Sequence, residues 1–206
     1  MLDTAFRKHT LLVVSHTYSN IYMSDLFIPV IQGTTRPKRK SIHVSRLISQ
    51  VVQDEVSGVS TELVDPNDFT LPHDGNDPEN KDPRYSEITK KADGFIIVVP
   101  EYNHSFPGSL KRLIDSELKN YKHKPVALAG VSASPWGGIR AIESMIPVVR
   151  ELGMVAIGYD MMFPQVQNLF DEDGDLTEEK YRERIKKTIN ELLWMTKVLK
   201  WGRENV

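Results

Sequence analysis

Residues 94–116 read GFIIVVPEYNHSFPGSLKRLIDS, and three kinds of local structure follow one another in them. Phe95 to Val99 is an unbroken aromatic and β-branched run bounded by Gly94 and Pro100, as suits a strand covered on both faces. Pro100 and Pro107 then stiffen a turn whose backbone groups, with Tyr102 and Asn103, offer a planar edge, a stacking face and polar atoms. Gly108 opens a helical pattern, GSLKRLIDSELKNY. Buried strand, functional turn and helix in direct succession mark an alternating α/β chain.

The same alternation extends in both directions. LFIPVIQ (26–32), VSTELVD (59–65), PVALAGVS (125–132) and GMVAIGY (153–159) are further short apolar runs bounded by Gly, Pro or Asp, which brings the strands to five. Between them SIHVSRLISQVVQDEV, RYSEITKKAD and GIRAIESMIPVVREL carry apolar residues at helical spacing; Val44, Leu47, Ile48 and Val51 form an i, i+3, i+4, i+7 stripe. Parallel strands joined by right-handed crossovers, with helices on both faces, are expected, the runs at 94–100 and 125–132 at the centre. A last helix is expected over about 177–200, with Thr177 as N-cap, Leu176 and Tyr181 as staple, and Tyr181, Ile185, Thr188, Ile189, Leu192, Met195 and Leu199 as its apolar face. Trp194 and Trp201 face either the core or a partner. Residues 66–83, DPNDFTLPHDGNDPENKD, form a polar loop longer than a mere connector.

Composition narrows the function. A chain of 206 residues with 40 % hydrophobic and 26 % charged residues is ordinary for one globular domain. No apolar run approaches the roughly 20 residues of a spanning helix, and a pI near 6.3 argues against a whole-protein grip on nucleic acid. The absence of cysteine excludes disulfides, thiolate catalysis and Cys-ligated metal and fits a reducing cytoplasm. His9, His16, His43, His73, His104 and His123 show no HxxxH or HExxH spacing, so no metal site is expected. Residues 1–22 contain only the short apolar run Leu11 to Val14, too short for a secretory signal. They are read as a poorly ordered extension, and residues 23–206 as the domain.

In an open parallel sheet, ligands bind beyond the carboxyl ends of the strands where strand order reverses. The first strand runs into GTTRPKRKS (33–41), where hydroxyls, backbone N–H groups, a helix N-terminus and Arg36 can surround a phosphate. This is neither GxGxxG nor GxxxxGK[ST]. PKRK also matches a short nuclear-import signal, but such runs are mostly solvated loops, and no companion basic face supports a nucleic-acid site. The fourth strand runs into SASPWGGIRA (132–141), a small-residue loop in which Gly137 and Gly138 permit close backbone approach and Trp136 can cover a flat ring or pack on its neighbours.

Together these loops resemble the NAD(P)H-dependent FMN reductase family, flavodoxin-like proteins that include quinone, azo-dye and chromate reductases. PEYNHSFPGSLKRLID resembles the family's PEYN-x-S-x-PG-x-LK-x-x-ID signature, GTTRPKRKS its G-[ST]-x-R…S phosphate loop and GGIRA its GG-x-RA turn. The resemblance spans residues 26 to about 160. It implies a flavodoxin-like fold with five parallel strands in the order 2-1-3-4-5 and FMN as cofactor. Thr34, Arg36 and Ser41 would hold its phosphate with His43 close by, Pro100, Glu101, Tyr102 and Asn103 would line the ring, and Ser132 through Gly138, with Trp136 and Gly137, would approach its pyrimidine side. Ser134 and Pro135 depart from the glycines common there.

The resemblance further implies hydride transfer from NADPH or NADH and ping-pong delivery of two electrons to flavins, quinones or similar small acceptors. No catalytic side chain is required, because the flavin carries the chemistry. A homodimer or homotetramer is implied, with the C-terminal helix and the 66–83 loop as candidate contacts. The competing readings are a flavodoxin-type electron carrier, whose usual strong acidity this near-neutral chain lacks, and an FMN-binding regulatory module without turnover.

Overall fold

The computed structural model describes residues 26–71, 77–78 and 81–206. The expected extension 1–22 lies outside the described residues, as does part of the 66–83 loop.

The central pair is β5 (Phe95–Pro100) and β6 (Pro125–Val131), parallel and in register from Phe95 opposite Val126 to Pro100 opposite Val131. Both strands are buried along their whole length. Their side chains alternate between two cores, as the two-residue strand period requires. Ile96, Val98, Ala127 and Ala129 enter a core with α1 (Ser41–Glu55) and α5 (Lys180–Asn205). Phe95, Ile97, Val99, Val126 and Leu128 enter one with α2 (Pro83–Lys91), α3 (Gly108–Asp115) and α4 (Ile139–Glu151).

The other strands are shorter than the sequence runs suggest, for local reasons. The first run is divided into β1 (Leu26–Phe27) and β2 (Val30–Gln32) at Pro29, which has no N–H for the ladder. Its partner run is divided alike into β3 (Val59–Ser60) and β4 (Leu63–Val64), with Thr61 Oγ1 donating to Ile28 O at 2.7 Å across the gap. The fifth run yields only β7 (Val155–Ala156), and a strand the sequence reading did not include, β8 (Met161–Phe163), continues along the edge of β6 beside Ala129 to Val131. All these pairings are parallel, and the main sheet runs β4-β2-β5-β6-β7. In terms of the five runs that is the expected order 2-1-3-4-5.

Helix ends depart from expectation in two places. The third helix stops at Asp115, because the buried Ser116 hydroxyl donates to Leu113 O at 2.6 Å and competes with the backbone ladder; a separate 3₁₀ turn covers Lys119–Tyr121. The last helix begins at Lys180 and extends to Asn205. Thr177 does not cap it: its hydroxyl donates to Leu169 O at 3.2 Å, and Tyr181 anchors the helix by stacking on Phe163 with ring centroids 5.5 Å apart. At the far end of α5, Lys200 and Arg203 bond the carboxylate of Asp93, which also accepts the amide of Phe27 at 3.1 Å. The first described strand and the last helix therefore share one anchor.

Lys124 is buried beside β6 and donates from Nζ to Thr89 O at 2.8 Å and Lys90 O at 3.1 Å, carbonyls that the end of α2 leaves unpaired. Burial, assisted by the charge of Arg203, lowers its pKa from 10.5 to about 8. Between those two values the unfolded chain binds the extra proton, so stability rises with pH through that window. In urea titrations the stability of the parent relative to Lys124→Gln is expected to climb from pH 8 toward pH 10.5; a flat difference would refute the assignment.

Candidate functional site

The carboxyl ends of β2, β5 and β6 meet at one rim, but at different heights. Gln32 stands opposite Val98, two residues before the end of β5. Gly33 tucks under the neighbouring strand there: a Cβ on it would lie 2.2 Å from Val98 O and 2.7 Å from Pro100 Cδ. The chain then climbs through residues 34–41 into α1. The step encloses a cavity of about 280 Å³, walled by the basic turn 36–41, residues 100–102 and residues 131–133, with Val166 and Gln167 closing one side.

The basic wall rests on Gln32, which is wholly buried at the end of an otherwise apolar strand. Its Nε2 donates to Ser41 Oγ at 2.7 Å, and its Oε1 accepts from Ser45 Oγ at 2.5 Å. Ser41 Oγ accepts there, which leaves its own proton for the cavity at the start of α1, where the helix adds partial positive charge. Thr34 lies beneath the wall, accepting from the amide of Arg36 at 3.2 Å, with its hydroxyl 3.3 Å from that of Tyr102. Arg36 extends over the Tyr102 ring, 5.7 Å from its centroid. Arg39 is committed to an ion pair with Asp65, just beyond β4, both side chains being only 15 % exposed. It braces the turn and is not free for a ligand.

The second wall is held by backbone pairing beyond β5. The amide of Glu101 donates to Val131 O at 2.8 Å, and Tyr102 and Ser105 exchange both backbone hydrogen bonds around Asn103 and His104. Those two residues have φ values of 50° and 68°, the pair of left-handed residues that a two-residue type I′ turn needs. The turn carries Asn103 off the cavity wall. The Glu101 carboxylate is buried and ion-paired to Arg140 at the start of α4, whose Nη1 is 3.1 Å from His104 Nε2.

In the third wall Ser132 faces the cavity and donates from Oγ to Ser134 O at 2.9 Å. Gly137 and Gly138 make their close approach to the protein itself: a Cβ on Gly138 would lie 2.4 Å from Val131 N, and one on Gly137 would lie 2.8 Å from Met162 Cβ. They fold the loop and do not line the cavity. Trp136 is 63 % exposed, also off the wall. The segment after β8 straps this loop in place: Val166 N donates to Ser132 O at 3.1 Å and Gln167 Nε2 to Ala133 O at 3.3 Å.

The cavity thus brings together Arg36, Ser41, Pro100, Glu101, Tyr102 and Ser132 of the sequence-derived set. His43 is not among them. Its ring lies 5.4 Å from Phe170, beside Gly174, in a smaller cavity of about 130 Å³ on the flank of α1. Sequence reading missed Gln32, whose signal was a lone carboxamide in an apolar strand. It also missed Val166 and Gln167, which no local pattern marks.

A phosphate monoester matches the basic end of this cavity, and a planar ring edge matches the strand-end segments at the other, so the residues present fit FMN. The solved structure of FerB, a flavoenzyme NAD(P)H:(acceptor) oxidoreductase from Paracoccus denitrificans, superposes with a TM-score of 0.69 at 20 % identity, over 82 % of this chain and 98 % of that one. The fold is flavodoxin-like. The family model for NADPH-dependent FMN reductases matches residues 27–168, which hold all three walls, and the chain belongs to that family of oxidoreductases. An NAD(P)H-dependent FMN reductase of Pseudomonas aeruginosa is 31 % identical over 121 residues, 56 % of this chain and 65 % of that protein. A quinone reductase of Pseudomonas putida is 28 % identical over 173 residues, 76 % of this chain and 88 % of that one. No helix among the described residues is long and apolar enough to cross a membrane.

Two predictions follow from the packing around α1. Gln32→Leu strips the buried Ser41 and Ser45 hydroxyls of their partner, with an expected loss of about 1–3 kcal/mol in denaturant unfolding; a neutral change would show that the clamp carries no weight. Burial first, then the charges of Lys40 and Arg46, lower the pKa of His43 below 6.5. The folded chain therefore binds fewer protons than the unfolded chain just below that value, and this contribution fades on acidification. His43→Gln should lose less stability than the parent between about pH 7 and pH 5, and parallel losses would contradict the placement.

Proposed function

We propose that the chain is a cytoplasmic FMN-dependent oxidoreductase that takes two electrons from NAD(P)H and passes them, in a ping-pong cycle, to flavins, quinones, azo dyes or similar flat, electron-poor acceptors. One observation carries the reading: a single rim cavity joins a cationic phosphate-sized end to a strand-end wall suited to a ring, within the segment the family model matches. When bound, FMN supplies the ring that accepts and returns hydride.

The residues have separable tasks. Ser41, fixed by Gln32, and Arg36, stacked on Tyr102, bind and orient the phosphate. The amides of Glu101 and Tyr102 are already spent on Val131 and Ser105, so this wall presents carbonyls and side chains to a ring edge. Thr34 supports the turn from below, and the loop 132–138, strapped by Val166 and Gln167, fixes the opposite edge. Asn103, Trp136, Gly137 and Gly138 serve by shaping these loops. His43 reaches the phosphate only through the electrostatics of the turn.

The homo-oligomer implied by the family resemblance would use α5, where Trp194, Val198 and Trp201 are exposed. A chain that sediments as a monomer at micromolar concentration would remove that element of the proposal.

Purified protein is expected to take up FMN, acquire its visible absorbance and be bleached by NADPH or NADH under anaerobic conditions. Colour without bleaching would indicate a carrier or sensor, and no colour would end the proposal. Arg36→Ala is expected to weaken FMN binding by about 1.5 to 3 kcal/mol, with Lys38→Ala much less affected. Equal small effects, measured by fluorescence titration, would leave the phosphate assignment without support.

A further inference from the structure

Two buried polar atoms beside the second wall of the cavity lack partners among the described residues. They are Glu101 Oε2 and Arg140 Nε, although the two side chains form an ion pair and that of Glu101 is only 5 % exposed. An arginine and a carboxylate often close a planar fork of two parallel bonds, the arrangement that would satisfy both atoms. Here a single bond, from Arg140 Nη2 to Glu101 Oε1, holds the pair. The guanidinium is turned instead toward His104, whose Nε2 lies 3.1 Å from Arg140 Nη1.

That contact fixes a protonation state. A guanidinium nitrogen can only donate, so His104 Nε2 must be the bare, accepting nitrogen of a neutral ring that carries its proton on Nδ1. A histidinium would present a second donor and a second positive charge. Histidine is the side chain that passes between these forms from about pH 8 to pH 5. Arg140 meets His104 directly and Glu101 lies behind it, whereas Glu143, on the next turn of α4, acts on Asp160. Arg140 therefore has two arrangements: turned to His104 while that ring is neutral, or closed on Glu101 once it is charged.

The place of the contact gives it a task. His104 is at the tip of the left-handed turn that ends the second wall, and Arg140 stands in the first turn of α4, directly after the loop of the third. Ser144 Oγ, 3.3 Å from His104 O, supplies a further link between helix and turn. We propose that His104 is a positioning residue for the flavin ring: neutral, it draws Arg140 across to tie the second wall to the third; protonated, it releases Arg140 to complete the fork with Glu101 and leaves the turn at 102–105 less firmly held. The inference rests on the FMN-dependent reading above, and His104 itself touches no ligand.

FMN titrations of the full chain from pH 8 to pH 5 compare the parent with His104→Asn. Asparagine suits the left-handed turn, does not titrate and is too short to reach Arg140. At pH 8 the variant should bind FMN about two- to fivefold more weakly than the parent, the scale of one exposed polar contact, and the gap should narrow toward pH 5 as the parent loses the same contact. The ratio at each pH cancels the titration of the phosphate, of His43 and of every other group the two proteins share. No gap at pH 8, or a gap that persists unchanged to pH 5, would overturn the inference. Imidazole nitrogen chemical shifts of the parent, recorded at pH 8 without added flavin, should show a protonated Nδ1 and a bare Nε2. A protonated Nε2 would sink the inference even if the asparagine variant failed to fold. A parent that takes up no FMN ends the underlying reading, and the role of His104 with it, whichever tautomer the spectrum shows.

Discussion

Two adjacent strands that carry no polar side chain toward either face can express chemistry only at their ends. β5 and β6 impose this constraint, because every side chain from Phe95 to Val99 and from Val126 to Leu128 is committed to one of two cores. They end level, with Pro100 opposite Val131, whereas β2 stops two residues lower. The cavity is the consequence of that difference in height. Gly33 makes the offset possible, since any side chain there would strike the carbonyl of Val98.

Around the step, charge is allotted in pairs before any remains for a ligand. Arg39 goes to Asp65 and Arg140 to Glu101. These partly buried pairs fix loops and helix ends in position and contribute little to a net field, in keeping with a formal charge of -2 for the whole chain. The field at the cavity comes from the few cations left over and from the start of α1. A local site of this kind needs no basic protein around it.

The strands with continuous apolar runs were legible in the sequence, and so were the sheet order and the loops that end β2, β5 and β6. Burial on two faces leaves a continuous apolar run, and strand length, β-branched residues and bounding Gly, Pro and Ser separate it here from a buried helix. Side-chain destinations within those loops were less legible. Asn103, Gly137 and Gly138 sit in the right segments, yet the left-handed turn at 103–104 carries Asn103 outward, and Gly137 and Gly138 make their close contacts with Met162 and the end of β6. Local motif reading cannot distinguish a glycine that admits a ligand from one that admits a neighbouring strand. β8 depended on long-range pairing with β6, and Val166 and Gln167 on bonds to Ser132 and Ala133 in the loop beyond it, which leave no trace in the residues themselves.

Asp93 receives the amide of Phe27 and the cationic end of α5 on a single carboxylate. The two extremities of the described fold are therefore neighbours, and the path between them is nearly a closed ring. One carboxylate thus couples them: an event that draws α5 away from Asp93 also disturbs the acceptor that holds the amide of Phe27.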